Sequence, residues 1–337
     1  QSAIVVAQAD VLVKALFPPL AVQGEGAADA WRACHGALVA LEKALPRESL
    51  PQLVQPCRTA VSDAVERTRR HLRQQGGAAV MAAEEAGGAT VAGLAEIPRP
   101  LGPLLPIYIE GLRNGATTEM RESAADGLGD LVEASPAPAL RPHVAGVAGP
   151  LIRLAGDRFP WEIKAAILRT LGSLLKRSGP ALRPFAPQLQ TTFLKCLQDP
   201  ASEVRDPAAE NLGALSAFAM RVDQLASDLS KLVVVHGGDP DSDGSGGVGA
   251  SALKALGGVL RFAGARLKPD VLSAAGDALQ AAYGASGEAA RRAAAVALGA
   301  HLALAGPDAL EAQLLPLLEK HGRSEERRVG KECPLLC

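Results

Sequence analysis

The chain has 337 residues, a formal net charge of -1, 48% apolar residues and only 3% aromatic ones. That apolar share supports a large buried core, and with so few rings it favours closely packed helices of Ala, Leu and Val over a β-sandwich. The near-neutral charge gives no argument for an electrostatic grip on nucleic acid or anionic lipid, and no apolar run approaches the ~20 residues that span a bilayer. The five cysteines, Cys34, Cys57, Cys196, Cys333 and Cys337, show neither metal spacing nor a regular framework, which reads as a reducing, intracellular protein. No charged-then-apolar leader opens the chain. It starts at Gln1 within an apolar helical stretch, as a fragment of a longer protein does.

Residues 1–100 read as helical, in poor register with the residues after them. "VERTRRHLRQQGG" (Val65–Gly77) is a helix with a solvated basic face, and the Gly/Ala-rich "AAEEAGGATVAG" after it is a soft boundary. From Leu101 onward a repeat of just over forty residues takes over. Leu-Gly pairs stand at Leu128-Gly129, Leu171-Gly172, Leu212-Gly213, Leu256-Gly257 and Leu298-Gly299. Met120-Arg121, Ile163-Lys164, Val204-Arg205 and Ala290-Arg291 keep a fixed distance before their Leu-Gly, and "ALRPHV" recurs as "ALRPFA".

Each unit reads as two helices. Ile163, Ala166, Ile167, Leu171, Leu174 and Leu175 follow the spacing of one buried helical face in the second helix. Val204, Ala208, Leu212 and Leu215 repeat it one unit later. The glycine after each leucine lets a neighbouring helix approach. Asp199-Pro200 reads as a helix start, prolines gather at the joints, and Pro150 falls inside a first helix and should bend it. A two-helix unit cannot bury both faces alone, so the units must stack. The period and the run from Asp199 to Leu215 resemble HEAT repeats. The expected fold is an all-α, right-handed α-solenoid of HEAT (armadillo-like) repeats, with five units from about Leu101 to Gly322. The expected segments are degenerate repeats over 1–100, repeats over 101–236, a Gly/Asp loop over 237–247, further repeats over 248–322 and a tail over 323–337. The charged "GRSEERRVGKEC" in that tail resembles translated adapter read-through, with a native disordered tail as the alternative.

Two motifs in "HGGDPDSDGSGGVGA" mislead. Asp239-x-Asp241-x-Asp243-Gly244 begins like a calcium loop, but Ala250 stands where the bidentate acid belongs. Gly244-x-Gly246-x-x-Gly249 fits a dinucleotide fingerprint, but nine residues separate it from the preceding "LVVV". A plain flexible loop is the better reading. The six histidines lack metal spacing, Glu84-Glu85 point to different helical faces, and no nucleophile elbow is present. The sequence therefore reads as non-enzymatic, with no metal and no cofactor.

The concentration of distinctive residues in "GPLIRLAGDRFPWEIKAAIL" (Gly149–Leu168) needs an explanation. Val147, Leu151 and Leu154 form the buried stripe of a first helix. Arg153 lies about 200° around from Leu151 and should face solvent. Arg121, Lys164 and Arg205 recur, so they read as repeat-ladder residues. Arg153 and Arg158 do not. Exposed arginine beside Phe159 and Trp161 is the usual composition of a protein-binding hot spot. Packing of the turn onto the next unit is the alternative for the two rings, and an ordinary surface arginine is the alternative for Arg153.

"GPLIRLAGDRFPWEIKAAIL", "LRPFAPQLQTTFLKCLQD" and "RVDQLASDL" closely resemble the C-terminal part of the general-control translational activator family. The strong match runs from about Leu101 to Leu232, and weaker similarity extends to about Gly322. The resemblance implies a cytoplasmic, ribosome-associated α-solenoid without an active site. It also implies a docking surface for the RWD domain of the amino-acid-starvation kinase of translation initiation factor 2. Ribosome contact would come through the full-length protein, with no membrane and no sequence-specific nucleic acid involved. The family's docking arginine in "GPLIR" maps to Arg153, and the phenylalanine of "LRPF" maps to Phe185. Phe185 also stands at i, i+4, i+8 with Leu189 and Phe193, so core packing remains open for it. In the fourth unit Gly247 and Gly249 replace the acid and the basic ladder residue. The competing reading is a general HEAT adaptor that binds along its second-helix face. A HEAT-like enzyme would need an acid or base cluster that the sequence does not show.

Overall fold

The computed structural model describes residues 2–21, 27–85, 88–156, 159–236, 247–285 and 287–305. The expected loop core at 237–246 and the tail at 323–337 lie outside them. Among the described residues there is no strand. The helices are α1 (Ser2–Leu16), α2 (Ala27–Ala44), α3 (Val54–Gln75), α4 (Gly77–Glu85), α5 (Leu105–Asn114), α6 (Thr118–Ala134), the single turn α7 (Ala137–Leu140), α8 (Val144–Ala155), α9 (Trp161–Ser178), α10 (Ala186–Cys196), α11 (Ser202–Ser216), α12 (Val222–His236), α13 (Gly247–Ala263), α14 (Pro269–Ala285) and α15 (Glu288–Ala305). Two compact units divide the chain, Gln1–Met220 and Arg221–Cys337. Each is a stack of helix pairs, so the expected α-solenoid class holds. Gly247, placed in the loop by its composition, instead opens α13 at φ 60°.

Local signals explain where the helices begin. Thr117 precedes α6, and its hydroxyl accepts the Met120 N–H at 3.2 Å; this satisfies one of the free donors at the helix start. Pro106 and Pro187 occupy first-turn positions of α5 and α10, where a missing N–H costs nothing. Acidic Glu162 opens α9 and basic Lys176 and Arg177 close it, matching the helix dipole. Pro150 lies inside α8 as expected.

In the first unit the second helices α3, α6, α9 and α11 pack side by side. Their contact residues are those the periodicity marked. Leu128, Leu171 and Leu212 are each at most 1% exposed. The neighbouring glycines set the spacing. A Cβ on Gly129 would stand 3.0 Å from Thr170 Oγ1, and one on Gly172 only 2.6 Å from Asn211 Oδ1. Thr170 and Asn211 each sit just before the next Leu-Gly. Both reach back to the preceding helix: Thr170 Oγ1 donates to the Ala125 carbonyl at 2.7 Å, and Asn211 Nδ2 donates to the Leu168 carbonyl at 2.8 Å. Both acceptors stand three residues before their own Leu-Gly, so one buried hydrogen bond recurs in one register and shows that these helices run parallel. In the second unit α13 packs on α15 with Gly257 facing Ala297.

The amino-terminal helices follow the same logic less regularly. Gln55 Nε2 donates to Ser123 Oγ at 2.8 Å, and Arg58 pairs with Asp130 at 2.7 Å, which aligns α3 along α6. Trp31, 9% exposed, covers Gly93. Burial raises the Cys57 thiol to about 12 and the Cys196 thiol to about 11, so both are protonated, inert core groups at neutral pH.

Packing and burial make opposite demands at two glycines. Gly172→Ala should destabilise the chain by ~1–3 kcal/mol, since the methyl displaces Asn211 from its bond. Gly146→Ala in α8, where a Cβ meets nothing within 4 Å, should stabilise it by up to ~1 kcal/mol. Urea denaturation of both variants checks the opposite signs. Burial lowers the imidazole pKa of His35, His143 and His301, and for His143 the charges of Arg99 and His35 add to it. A lowered folded pKa contributes stability that is complete above the unfolded value of about 6.5. That stability is lost as pH falls through the folded values. Melting temperature should therefore drop between pH 7.5 and pH 5.5, about where histidine titrates, and His143→Leu should shrink the drop.

Candidate partner-docking site

The turn from α8 to α9 is held from both sides. Lys195 Nζ at the end of α10 donates to the Gly156 carbonyl at 3.2 Å. Arg121, from the start of α6, donates from Nε to the Gly115 carbonyl at 2.8 Å. Its guanidinium also stands 5.5 Å from the centroid of the Phe159 ring, a cation–π distance. Arg121 thus clamps its own unit's turn and the next one. Lys164 extends the pattern by pairing with Asp199 at 2.8 Å. Arg205, 3% exposed, donates to the carbonyls of Asp199 and Pro200. The three recurring cations are ladder residues, as the repeat implied.

The helix start expected at Asp199-Pro200 is corrected. Helix α11 begins at Ser202, after Ala201. The Asp199 carboxylate is engaged elsewhere: Oδ2 takes Lys164 and Oδ1 accepts the Ala201 N–H at 3.1 Å, a local side-chain turn that ends before the helix starts.

Of the five candidate binding residues, three stand together at this edge. Arg153 is exposed on the last turn of α8, opposite the buried Val147, Leu151 and Leu154. Phe159 is half-buried in the turn. Trp161, the first residue of α9, is 45% exposed, so only part of its ring is used in packing. Arg158 lies outside the described residues. Phe185 stands apart, half-buried just before α10. Lys195 marks the Arg153 end of this layer, and the ten residues from Phe185 to Lys195 correspond to about 15 Å of helix. Leu189 and Phe193 on the same stripe are fully buried.

One residue escaped the sequence reading. Lys195 is the counterpart of Arg153 in the next unit, exposed at the end of α10 just as Arg153 is at the end of α8. The position therefore does recur as a cation. The offset between "ALRPHV" and "ALRPFA", continued along the two helices, carries that signal.

A family model for the HEAT-like repeat matches residues 161–215. Protein ILITYHIA of Arabidopsis thaliana is 43% identical over 235 residues, which is 70% of this chain and 8% of that protein. The mouse "Stalled ribosome sensor GCN1" is 47% identical over 145 residues, 43% of this chain and 5% of that protein. The "eIF-2-alpha kinase activator GCN1" of Saccharomyces cerevisiae is 43% identical over 173 residues, 51% of this chain and 6% of that protein. By sequence the chain is a homologue of the GCN1 proteins. It spans less than a tenth of the length of these relatives. Among solved structures, Kap121p bound to Pho4p aligns over 93% of this chain and 30% of that chain, at 15% identity and a TM-score of 0.52. Importin beta aligns over 91% of this chain and 38% of that chain, at 14% identity and a TM-score of 0.50. These two likenesses bear on the fold alone.

The division between ladder and free surface has a measurable consequence. Arg121→Ala should cost ~1–2 kcal/mol through its lost carbonyl bond and ring contact. Arg153→Ala should stay within ~0.5 kcal/mol. Chemical denaturation of the two variants checks this.

Proposed function

We propose that this chain is a non-enzymatic scaffold segment that docks the RWD domain of the starvation kinase of translation initiation factor 2, and that it supports activation of that kinase on ribosomes in the cytoplasm. The observation that carries the reading is the turn edge itself. An exposed arginine, a half-buried phenylalanine and an exposed tryptophan stand at the rim of a turn whose described residues Gly156 and Phe159 are contacted by Lys195 and Arg121. Aromatic and arginine anchors on an ordered support are what concentrates binding energy in an interface. The names of the GCN1 relatives, "eIF-2-alpha kinase activator" and "Stalled ribosome sensor", support a kinase and a ribosome as the setting, and the choice of the RWD domain follows from the resemblance of the sequence motifs.

Arg153, Phe159 and Trp161 form the centre of the proposed surface, and Arg158, outside the described residues, is assigned to it by its place in the sequence. Phe185 joins it if the partner also covers the outer faces of α8 and α10, a length that a standard interface of ~800 Å² per partner can span. A general adaptor would instead use the second-helix face. There three carboxylates of α6 are already matched by neighbours: Asp130 by Arg58, Asp126 by Arg169 and Glu133 by Ser173. That pairing favours the turn edge.

Calorimetric titration of the chain with the kinase's RWD domain tests the proposal. Binding should weaken by roughly 30-fold or more in Arg153→Ala and Trp161→Ala, the effect of losing ~2 kcal/mol, with melting unchanged. Phe185→Ala should lose less. No binding by the folded chain, or equal binding in Arg153→Ala, would contradict it.

A further inference from the structure

The segments that join one helix pair to the next carry the same dipeptide three times: Arg99-Pro100, Arg141-Pro142 and Arg183-Pro184. All three arginine side chains are exposed. The joints are successive neighbours. His143 lies close enough to Arg99 to feel its charge, residues 92–95 pack on 137–140, and residues 179–185 pack on α8. Since α6 and α9 run parallel, the joints after them fall on one edge of the first unit, opposite the edge that holds Phe159 and Trp161. Adjacent helices at 8–10 Å space the three guanidinium groups by roughly 10 Å.

Three observations separate these arginines from ordinary surface charge. No carboxylate among the described residues pairs with any of them, whereas Arg58, Lys164 and Arg169 are all paired. Arg141 and Arg183 stand three residues before α8 and α10, where the dipole of these longer helices disfavours a cation, although each also follows or closes a short helical turn. Residues 136–156 and 179–198 contain no Asp or Glu at all. The chain's net charge of -1 conceals this local segregation. Helix α3 enlarges the patch. Arg58 pairs with Asp130, α6 ends at Ala134 and α3 continues to Gln75, so its last turns overshoot α6 by about 20 Å. They carry exposed Arg67 and Arg69 toward the same edge.

We propose that this arginine edge grips the phosphodiester backbone of an RNA strand without reading its sequence. Guanidinium forks match phosphate oxygens, and a spaced row of them positions a backbone but carries no base readout. No fully exposed ring stands at this edge among the described residues; Phe185, two residues after Arg183, is half-buried. The choice of RNA as the polyanion rests on the translational setting proposed above, while the cationic edge does not.

The test is fluorescence anisotropy of a labelled oligouridylate of about 20 nucleotides, titrated with the whole chain from about 50 to 200 mM KCl. Saturable binding that weakens with salt is expected. The triple variant Arg99→Gln, Arg141→Gln, Arg183→Gln should lose at least about tenfold in affinity. It should also lower the slope of log Kd against log [KCl] by about 2, the loss of three single-strand phosphate contacts, while its circular-dichroism melting is unchanged. Arg153→Ala should bind RNA as the parent does, so the kinase-docking reading and this one fail in separate titrations. Absence of RNA binding by the folded chain, or equal affinity in the triple variant, would overturn the proposal. So would polyglutamate binding more tightly than RNA and losing that binding in the triple variant, which would assign the edge to an acidic protein.

Discussion

The second helices of the first unit meet at glycine, and most of what the unit does depends on that close approach. With no side chain at Gly129 and Gly172, the next helix comes near enough for Thr170 and Asn211 to reach a backbone carbonyl across the gap. A buried polar group costs free energy unless it is satisfied, so each of these bonds penalises any slip in register. Apolar packing of leucine and alanine alone would tolerate sliding. The repeated bond does not, and it fixes the register of α6, α9 and α11.

A fixed register gives the first unit two different edges. At the turn edge, cations are consumed within the fold: Arg121 on Phe159, Lys164 on Asp199, Arg205 on the carbonyls of the turn. What is left over is a short rim of Arg153, Phe159 and Trp161. At the joint edge the arrangement reverses, and Arg99, Arg141 and Arg183 point outward without described carboxylate partners. An aromatic rim suits a folded protein domain, and a row of bare guanidinium groups suits a polyanion. The two proposed partners, a kinase domain and an RNA strand, would then meet the first unit on different edges.

The repeat was legible because it is carried by contacts within one face: Leu-Gly pairs, buried stripes and ladder cations all fall where the period put them. Recurrence marked Arg121, Lys164 and Arg205 as ladder cations, but it did not separate them from Arg153, whose position recurs as Lys195. What sequence did not show was what each polar group does once neighbours are present. Asp199 reads as a helix cap, yet Lys164 from the preceding unit and its own Ala201 N–H claim it. Lys195 passed unnoticed because its counterpart Arg153 belongs to a different local motif. The three Arg-Pro joints were visible as strings, but their common edge requires helices that run parallel. The aromatic cluster was identified by composition, and its split into a half-buried and an exposed ring required packing.

Hydrogen exchange on the chain with and without the kinase's RWD domain would test the docking surface most directly. Slowed exchange should be confined to the end of α8, the turn and the first turns of α9, about residues 151–165, with the exposed stripe of α6 and the later part of α9 unaffected. Slowed exchange along α6 and α9 between residues 122 and 177, with none at the turn, would contradict the account and place binding on the second-helix face instead.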